Sequence, residues 1–575
     1  MKIFIAPGAP LDGSLYLEEI LKTFAPPCIE RTTLAEALQQ ADADCGVLVL
    51  PRGSEIEGVE SFLNRGGNVV AIQPREELLK LAGLQSAGER QTPGRIRVVG
   101  PFCAAAGGES LWTLGAQTIY KSDLPVEDSA GSTLAYLFEP GDFYSESPGV
   151  YQRAVGAGSL TIFAYDPALC ITRLRQGFPE RAGVLPPGES VPRSTYLHAP
   201  NAPHDTHWKP TADLHALLLC DVVSDLLLRR APVPGLWHIP HGKKSVVLFS
   251  GDEDGAPQQD NQTEMAELES RGDAMSLYVV PDSTSITREL VAEYSRRGHE
   301  ISVHPDLTPA CGKSVEEQIA KAEADVKKFR EDFEEPVETL RNHCGMWPGY
   351  LDLPELWERL GVGLDASCIA SLLNQSPEVG PYVNVNAAIS LRFVREDGTL
   401  IDVLQQPTHL SDDLWCHPHL DYSLKYSAAQ FDYVARRILE DAAERFHTPY
   451  CPIFHPWSYN NYSGEHGRTV LRHAHRLDIP VWTLSRWNRF WRAREQWRLA
   501  EYSRSGGRMT FTLSGPPCEG LFVTLPATFD GYALSSLSVG ERTTEFEIVE
   551  RFGRSIAQAA LPEGVQEVNV IAEYS

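Results

Sequence analysis

The chain has 575 residues, too many for one hydrophobic core, so length alone divides it into two to four domains. Hydrophobic residues at 42%, aromatics at 9% and charged residues at 22% describe an ordinary globular chain and exclude a disordered one. With 51 Lys and Arg against 77 Asp and Glu, the net charge of -26 repels phosphate backbones and excludes nucleic acid and anionic membranes as partners.

From the first residue, strands alternate with helices. Lys2–Ala6 reads as a strand, Leu15–Thr23 as a helix and Gly46–Pro51 as a buried strand. Gly58–Arg65 is helical, and Asn68–Ile72 is again an apolar strand. This rhythm predicts parallel βαβ units in a doubly wound α/β domain over residues 1–230, closed by a long apolar helix, Leu214–Leu228. The apolar start is too short for a signal peptide, and no run approaches ~18 apolar residues, so no membrane span is expected. The 11 cysteines are scattered without any Cys-x-x-Cys, which suits a reduced, cytoplasmic location. Ala231–Gly235, with two prolines, reads as a linker.

A second alternation starts at Lys244. Strands are predicted at Ser245–Ser250, Met275–Val280, Glu300–Val303, Val337–His343, Gly363–Ser367, Leu400–Pro407 and Pro452–His455. Helices are predicted at Gln262–Arg271, Ser285–Arg297, Val315–Glu334 and Ala428–Arg445. The pattern predicts a central (β/α) barrel over 236–496. From residue 497 to 575, short alternating runs separated by Gly, Pro and Ser predict a small antiparallel β-domain.

Polar residues cluster after the central strands. Asp252, Glu253 and Asp254 follow the first, His304 and Asp306 the third, and Arg341 and His343 the fourth. Asp365 and His409 also stand at strand ends, and His455 ends a late strand. In a parallel barrel those ends converge on the face where active sites are built. Each residue also has a structural role open to it: aspartates after strands cap helices or fix turns, and single histidines are often hydrogen-bonded core residues. Two carboxylates such as Asp306 and Asp365 would alternatively suit a glycoside hydrolase. His299, His238, His241, His204 and His207 are given no functional role.

The motifs SGDEDG, GHEISVHPD, LRNHCG and CPIFHPW, in that order over about Gly242–Trp487, resemble those of the polysaccharide deacetylases, metal-dependent carbohydrate esterases. The resemblance implies Asp254 and His304 as metal ligands, Asp252 or Glu253 as general base, Arg341 as its orienting partner and His455 as general acid. Where the family offers a second His, this chain has Thr308. His343 stands at a neighbouring strand end, where it is expected to supply the third ligand of one divalent ion. Zinc leads that expectation, with cobalt, manganese and iron compatible. The implied activity is removal of an acyl group, acetyl first, from an amide on a carbohydrate or other small substrate. The alternative is a non-catalytic binding or interaction protein on a barrel that has lost its metal. Oligomeric state is left open.

GVLVLPRG and GGNVVAIQPREELLKLAGL resemble the approach to the nucleophile turn of class I glutamine amidotransferase-like domains. Gln73 and Pro74 occupy the turn where that family has Cys, and Cys103 lacks a Gly-x-Cys-x-Gly setting, so no amidotransferase chemistry is expected. The phrase SLTIFAYDPALCITRLRQG, carrying Asp166 and Arg173, is a late strand and loop placed to touch the barrel. The tail resembles accessory β-sandwiches of carbohydrate-active enzymes and is expected to pack rather than to bind sugar.

Overall fold

The structure is a computed structural model and describes residues 1–7, 13–40, 46–90, 93–100, 102–106, 110–122, 131–139, 143–198, 203–371 and 380–575. It is a mixed α/β chain with several sheets and a carboxyl-terminal antiparallel β region.

The first layer is a nine-stranded sheet. Ile29–Arg31, Lys2–Ile5, Gly46–Leu50, Asn68–Ile72 and Gly158–Phe163 pair in parallel, in that spatial order. Gly46–Leu50 and Asn68–Ile72 are buried at every residue, as strands covered on both faces must be. The rest differs from a doubly wound layer. Phe143–Val155, Gly131–Glu139, Gly94–Val98 and Ser110–Thr113 extend the sheet antiparallel. The reason is local: Val155 pairs with Gly158 across a two-residue turn, and Gly156 takes the positive φ of 59° that such a hairpin requires.

Gln73 also has positive φ (41°), so the strand-to-helix turn after Asn68–Ile72 is strained although it carries an amide. Its Nε2 donates to the carbonyls of Ala116 and Ala164 and to Thr118 Oγ1, filling the turn with structural hydrogen bonds.

The helix Thr211–Leu228 is buried along almost its whole length because it packs on Ser14–Phe24 and Pro167–Gln176. At its start, Asp213 accepts from the backbone N–H groups of Ala388 and Ile389 and faces Arg175 at 3.5 Å. The expected linker is not free chain. Ala231 and Val233 are buried, and Gly235–Leu236 is an antiparallel strand against Val523 and Thr524. Its prolines end the helix, and its apolar side chains then find cover.

Centrally, Val246–Leu248 and Ser250–Asp252 form nearly one strand. The first half pairs with Pro449–Tyr450 and Val481–Trp482, the second with Ser276–Val279 and Pro452–Ile453, all in parallel. Glu300–Val303 and Leu410–Ser411 extend this sheet on its two sides. Thr339–Leu340, Leu364–Asp365, Leu400–Gln405 and the antiparallel Leu391–Val394 make a separate sheet. Among the described residues no backbone ladder joins Glu300–Val303 to Thr339–Leu340. Side chains cross there instead, Ser302 Oγ donating to the Thr339 carbonyl and Thr339 Oγ1 to Glu300, each at 2.6 Å. The expected barrel is therefore divided into three short sheets, because twisted strands of two to six residues leave little length for continuous ladders.

The tail holds two antiparallel sheets, one of six strands and one of four that includes Gly235–Leu236. No helix of the described residues is long and apolar enough to cross a membrane.

Four buried histidines keep this fold sensitive to acid. Burial pulls the pKa of His198 and His447 to about 3 and of His215 and His409 to about 4. Unfolded, such rings take a proton near pH ~6.5. Between those values the unfolded chain binds more protons, so stability rises with pH and is lost on acidification, by up to about 1.4 kcal/mol per pH unit for each ring. Urea unfolding is expected to show a markedly lower free energy at pH ~5 than at pH ~7. In His215→Gln the difference shrinks by about 2 kcal/mol; an unchanged difference would contradict the assignment.

Candidate active site

Arg341 organises the centre. It is 2% exposed, and its guanidinium donates to Asp252 Oδ1 at 2.8 Å, Ser250 Oγ at 2.8 Å, Thr408 Oγ1 at 3.2 Å and the Ala366 carbonyl at 3.2 Å. Its cation also lies over the Tyr278 ring at 4.9 Å. Burial works against charge on Asp252, but Arg341 and His304 overcome it and hold that carboxyl below its usual range.

Two residues on, Asp254 has φ of 48°, a left-handed conformation that aspartate takes more readily than most non-glycine residues. Three histidines face its carboxylate. His304 Nε2 lies 3.3 Å from Oδ1, and His455 Nε2 and His343 Nε2 lie 3.6 and 3.9 Å from Oδ2. Burial opposes its ionisation, yet His304, His455 and His343 together hold the carboxyl well below the ordinary range.

Each of these rings is fixed through Nδ1. His304 Nδ1 donates to the Arg341 carbonyl at 2.6 Å, so its Nε2 carries no proton in the neutral ring. His343 Nδ1 contacts Asp306 Oδ1 at 2.9 Å, and Asp306 is itself held by the Thr308 N–H and hydroxyl at 3.0 and 2.6 Å. His455 Nδ1 contacts Asp412 Oδ1 at 2.6 Å, while Asp412 Oδ2 accepts from the His455 N–H and Ser463 Oγ. Burial lowers the affinity of His455 for protons, but Asp412 and Asp413 raise its pKa well above normal. Burial likewise opposes charge on His343, and Cys344, Asp254 and Asp306 carry its pKa to about 10.

What favours a divalent ion beside Asp254 is that His304 Nε2 is buried and has no hydrogen-bond partner. Its 3.3 Å separation from Asp254 Oδ1 is long for a hydrogen bond and suits two ligands of one ion, each about 2.1 Å from it. His343 would add a third ligand and a second nitrogen. Among the described residues, the trio whose ligand atoms all lie within 4.8 Å of one another is Asp412, Asp413 and His455. Asp412 there is already saturated by protein donors.

The expected residues Asp252, Asp254, His304, Arg341, His343 and His455 thus come together. Glu253 turns away, accepting from Ser285 N at 3.2 Å and Gly255 N at 3.0 Å, and closes its own loop. Asp365 and His409 are structural. Asp365 accepts from Trp357 Nε1 and Ser367 N, and His409 spans the Ala387 carbonyl and the Cys451 N–H, so the two-carboxylate reading gains nothing. His299 is tied to Glu269 and Met275. Sequence reasoning passed over Asp412 and Asp413, although an acidic pair just after a strand was the available signal. It noticed Asp306 without its part in holding His343.

No family model and no curated protein matches the chain. Among solved structures it is similar to Agd3, described as a novel carbohydrate deacetylase, at 10% identity over 100% of this chain and 99% of that one, with a TM-score of 0.41. A protein from Mycobacterium smegmatis described as a "putative polysaccharide deacetylase" matches at 16% identity over 46% of this chain and 93% of that one, TM-score 0.32. A family 4 carbohydrate esterase from Streptomyces lividans, in complex with acetate, matches at 10% over 41% and 91%, TM-score 0.25. At these scores the likeness is too distant to assign chemistry, and the functional reading rests on the residues themselves.

Arg341 gives the sharpest stability test. Arg341→Met leaves Asp252 buried and unpaired and is expected to cost about 3–5 kcal/mol in urea unfolding. Adding Asp252→Asn removes the stranded charge, so the double variant should be more stable than the sum of the two single losses. Strict additivity would show that the pair does not act as a unit.

Proposed function

We propose that the chain is a metal-dependent hydrolase that removes an acyl group, acetyl first, from an amide of a carbohydrate-like substrate. The reading assigns residues 1–230, 236–496 and 497–575 to three domains, with the short central sheets acting as one (β/α) barrel of the deacetylase type. The observation that carries it is the convergence of three Nδ1-anchored histidines on Asp254, with His304 Nε2 buried and unpartnered.

Asp254, His304 and His343 would hold the ion, zinc being the first expectation. Bound there, a divalent ion supplies Lewis acidity toward the amide carbonyl and lowers the pKa of a water. Asp252, kept ionised by Arg341, accepts the proton of the attacking water as general base. His455 is protonated and oriented by Asp412, and it donates a proton to the leaving amine. Asp306 and Asp412 are positioning residues that aim His343 and His455. Trp457, 49% exposed and two residues after His455, offers a flat apolar face of the kind that stacks on a sugar ring.

The test is metal content together with deacetylation of N-acetylated oligosaccharides. Wild type is expected to hold one ion per chain, and His304→Ala and His343→Ala to lose it. Asp252→Asn and His455→Ala should keep the ion while activity falls at least ~100-fold. Glu253→Gln should remain active when folded. Wild-type stoichiometry in both ligand variants would overturn the ligand set, and a wild type without metal would favour the non-catalytic binding protein.

A further inference from the structure

We propose that the crevice between the first layer and the central layer binds a small oxyanion-bearing ligand, a carboxylate or a phosphate monoester, through Arg173 and the Tyr16 hydroxyl. This site is separate from the candidate active site and does not depend on the hydrolase reading.

The location follows from topology. Lys2–Ile5 lies between Ile29–Arg31 and Gly46–Leu50, so the strand order reverses beside it. In open parallel sheets, ligands bind outside the carboxyl ends of the strands at such a switch point. A cavity of about 330 Å³ is found there, lined by Arg52 just after Gly46–Leu50, by Asp166 just after Gly158–Phe163, and by Tyr16 and Arg173. Tyr350 and Arg395 line it from the central layer. Its size and its place between layers are those of small-molecule sites. None of the candidate active-site residues lines it.

The ligand class follows from which polar groups are uncommitted. Asp166 caps its own helix, accepting from the N–H groups of Ala168 and Leu169 at 2.9 and 3.1 Å, so that helix end is already satisfied. Arg395 pairs with Glu355 and Glu358, and Arg52 with Glu89. Arg173 is different. Its Nη1 is buried without a hydrogen-bond partner, and Glu180 reaches no closer than 3.7 Å. Tyr16 is 2% exposed, and its hydroxyl has no partner either. A buried donor left unmade is costly, and the two residues that carry these donors line one cavity. A guanidinium only donates, in a planar fork matched to carboxylate and phosphate oxygens, and the phenol adds a further O–H.

The full chain is titrated calorimetrically with inorganic phosphate and, separately, with succinate at constant ionic strength. Wild type is compared with Arg173→Gln, Tyr16→Phe and His304→Ala. Saturable binding of at least one probe is expected, weakened tenfold or more in Arg173→Gln and threefold or more in Tyr16→Phe, and unchanged in His304→Ala. Phosphate binding alone identifies a phosphate monoester as the ligand, and succinate binding alone a carboxylate. Lack of saturable binding by both probes, full affinity in Arg173→Gln, or loss in His304→Ala overturns the proposal. Should Arg173→Gln fail to fold, wild-type affinity in Tyr16→Phe overturns it.

Discussion

The buried guanidinium of Arg341 is the interaction on which the centre of the molecule depends. It links the strand ends at Ser250–Asp252, Ala366 and Thr408, and its own carbonyl receives His304 Nδ1. A buried charge is tolerated when it is paired and hydrogen-bonded, and here the carboxylate of Asp252 and three further oxygens serve it. The short central strands share few backbone ladders, so side-chain bonds of this kind take over part of their alignment. One residue thereby sets both the ionisation of Asp252 and the tautomer of His304.

The histidines around Asp254 repeat one device with different parts. A backbone carbonyl, Asp306 and Asp412 each occupy an Nδ1 and leave Nε2 facing inward. This gives Thr308 a physical place. It supplies no imidazole, but its N–H and hydroxyl lock Asp306, and Asp306 locks His343. The missing histidine of the resembled motif is thus matched by a support chain for another one nearby. Such outer contacts decide ring orientation as strongly as the facing atoms do.

Arginines also join the layers. Arg175 donates to the carbonyls of Ile389 and Gln405 and faces Asp213. Arg392 pairs with Glu19 and Asp402. Arg494, 3% exposed, donates to the Lys22, Thr23, Leu236 and Trp237 carbonyls. The first two of those carbonyls end the helix Ser14–Phe24, where the peptide dipoles favour a cation. The crevice lined by Tyr16 and Arg173 lies where layers joined in this way meet.

The sequence by itself was enough for what depends on local pattern. Apolar and helical runs located Gly46–Leu50, Asn68–Ile72, Glu300–Val303 and Val315–Phe333 to within a few residues. Strand-end polarity singled out 252, 253, 254, 304, 306, 341, 343, 365, 409 and 455, because side chains at the ends of parallel strands share a face whatever the detailed packing, and the motif resemblance, with His343 added as the third ligand, narrowed them to 252 or 253, 254, 304, 341, 343 and 455. Pairing was not legible. The antiparallel strands over 94–155, the burial of 231–236 against Val523 and Thr524, and the open gap beside Thr339–Leu340 all depend on contacts between residues far apart in the chain. The choice between Asp252 and Glu253 was equally closed to sequence reading, since adjacent carboxylates have the same chemistry. Only their neighbours separate them: Arg341 reaches one from 89 positions away, and the Ser285 backbone takes the other. Asp412 became visible for the same reason, because a carboxylate gains a partner such as His455 only when the fold carries them together.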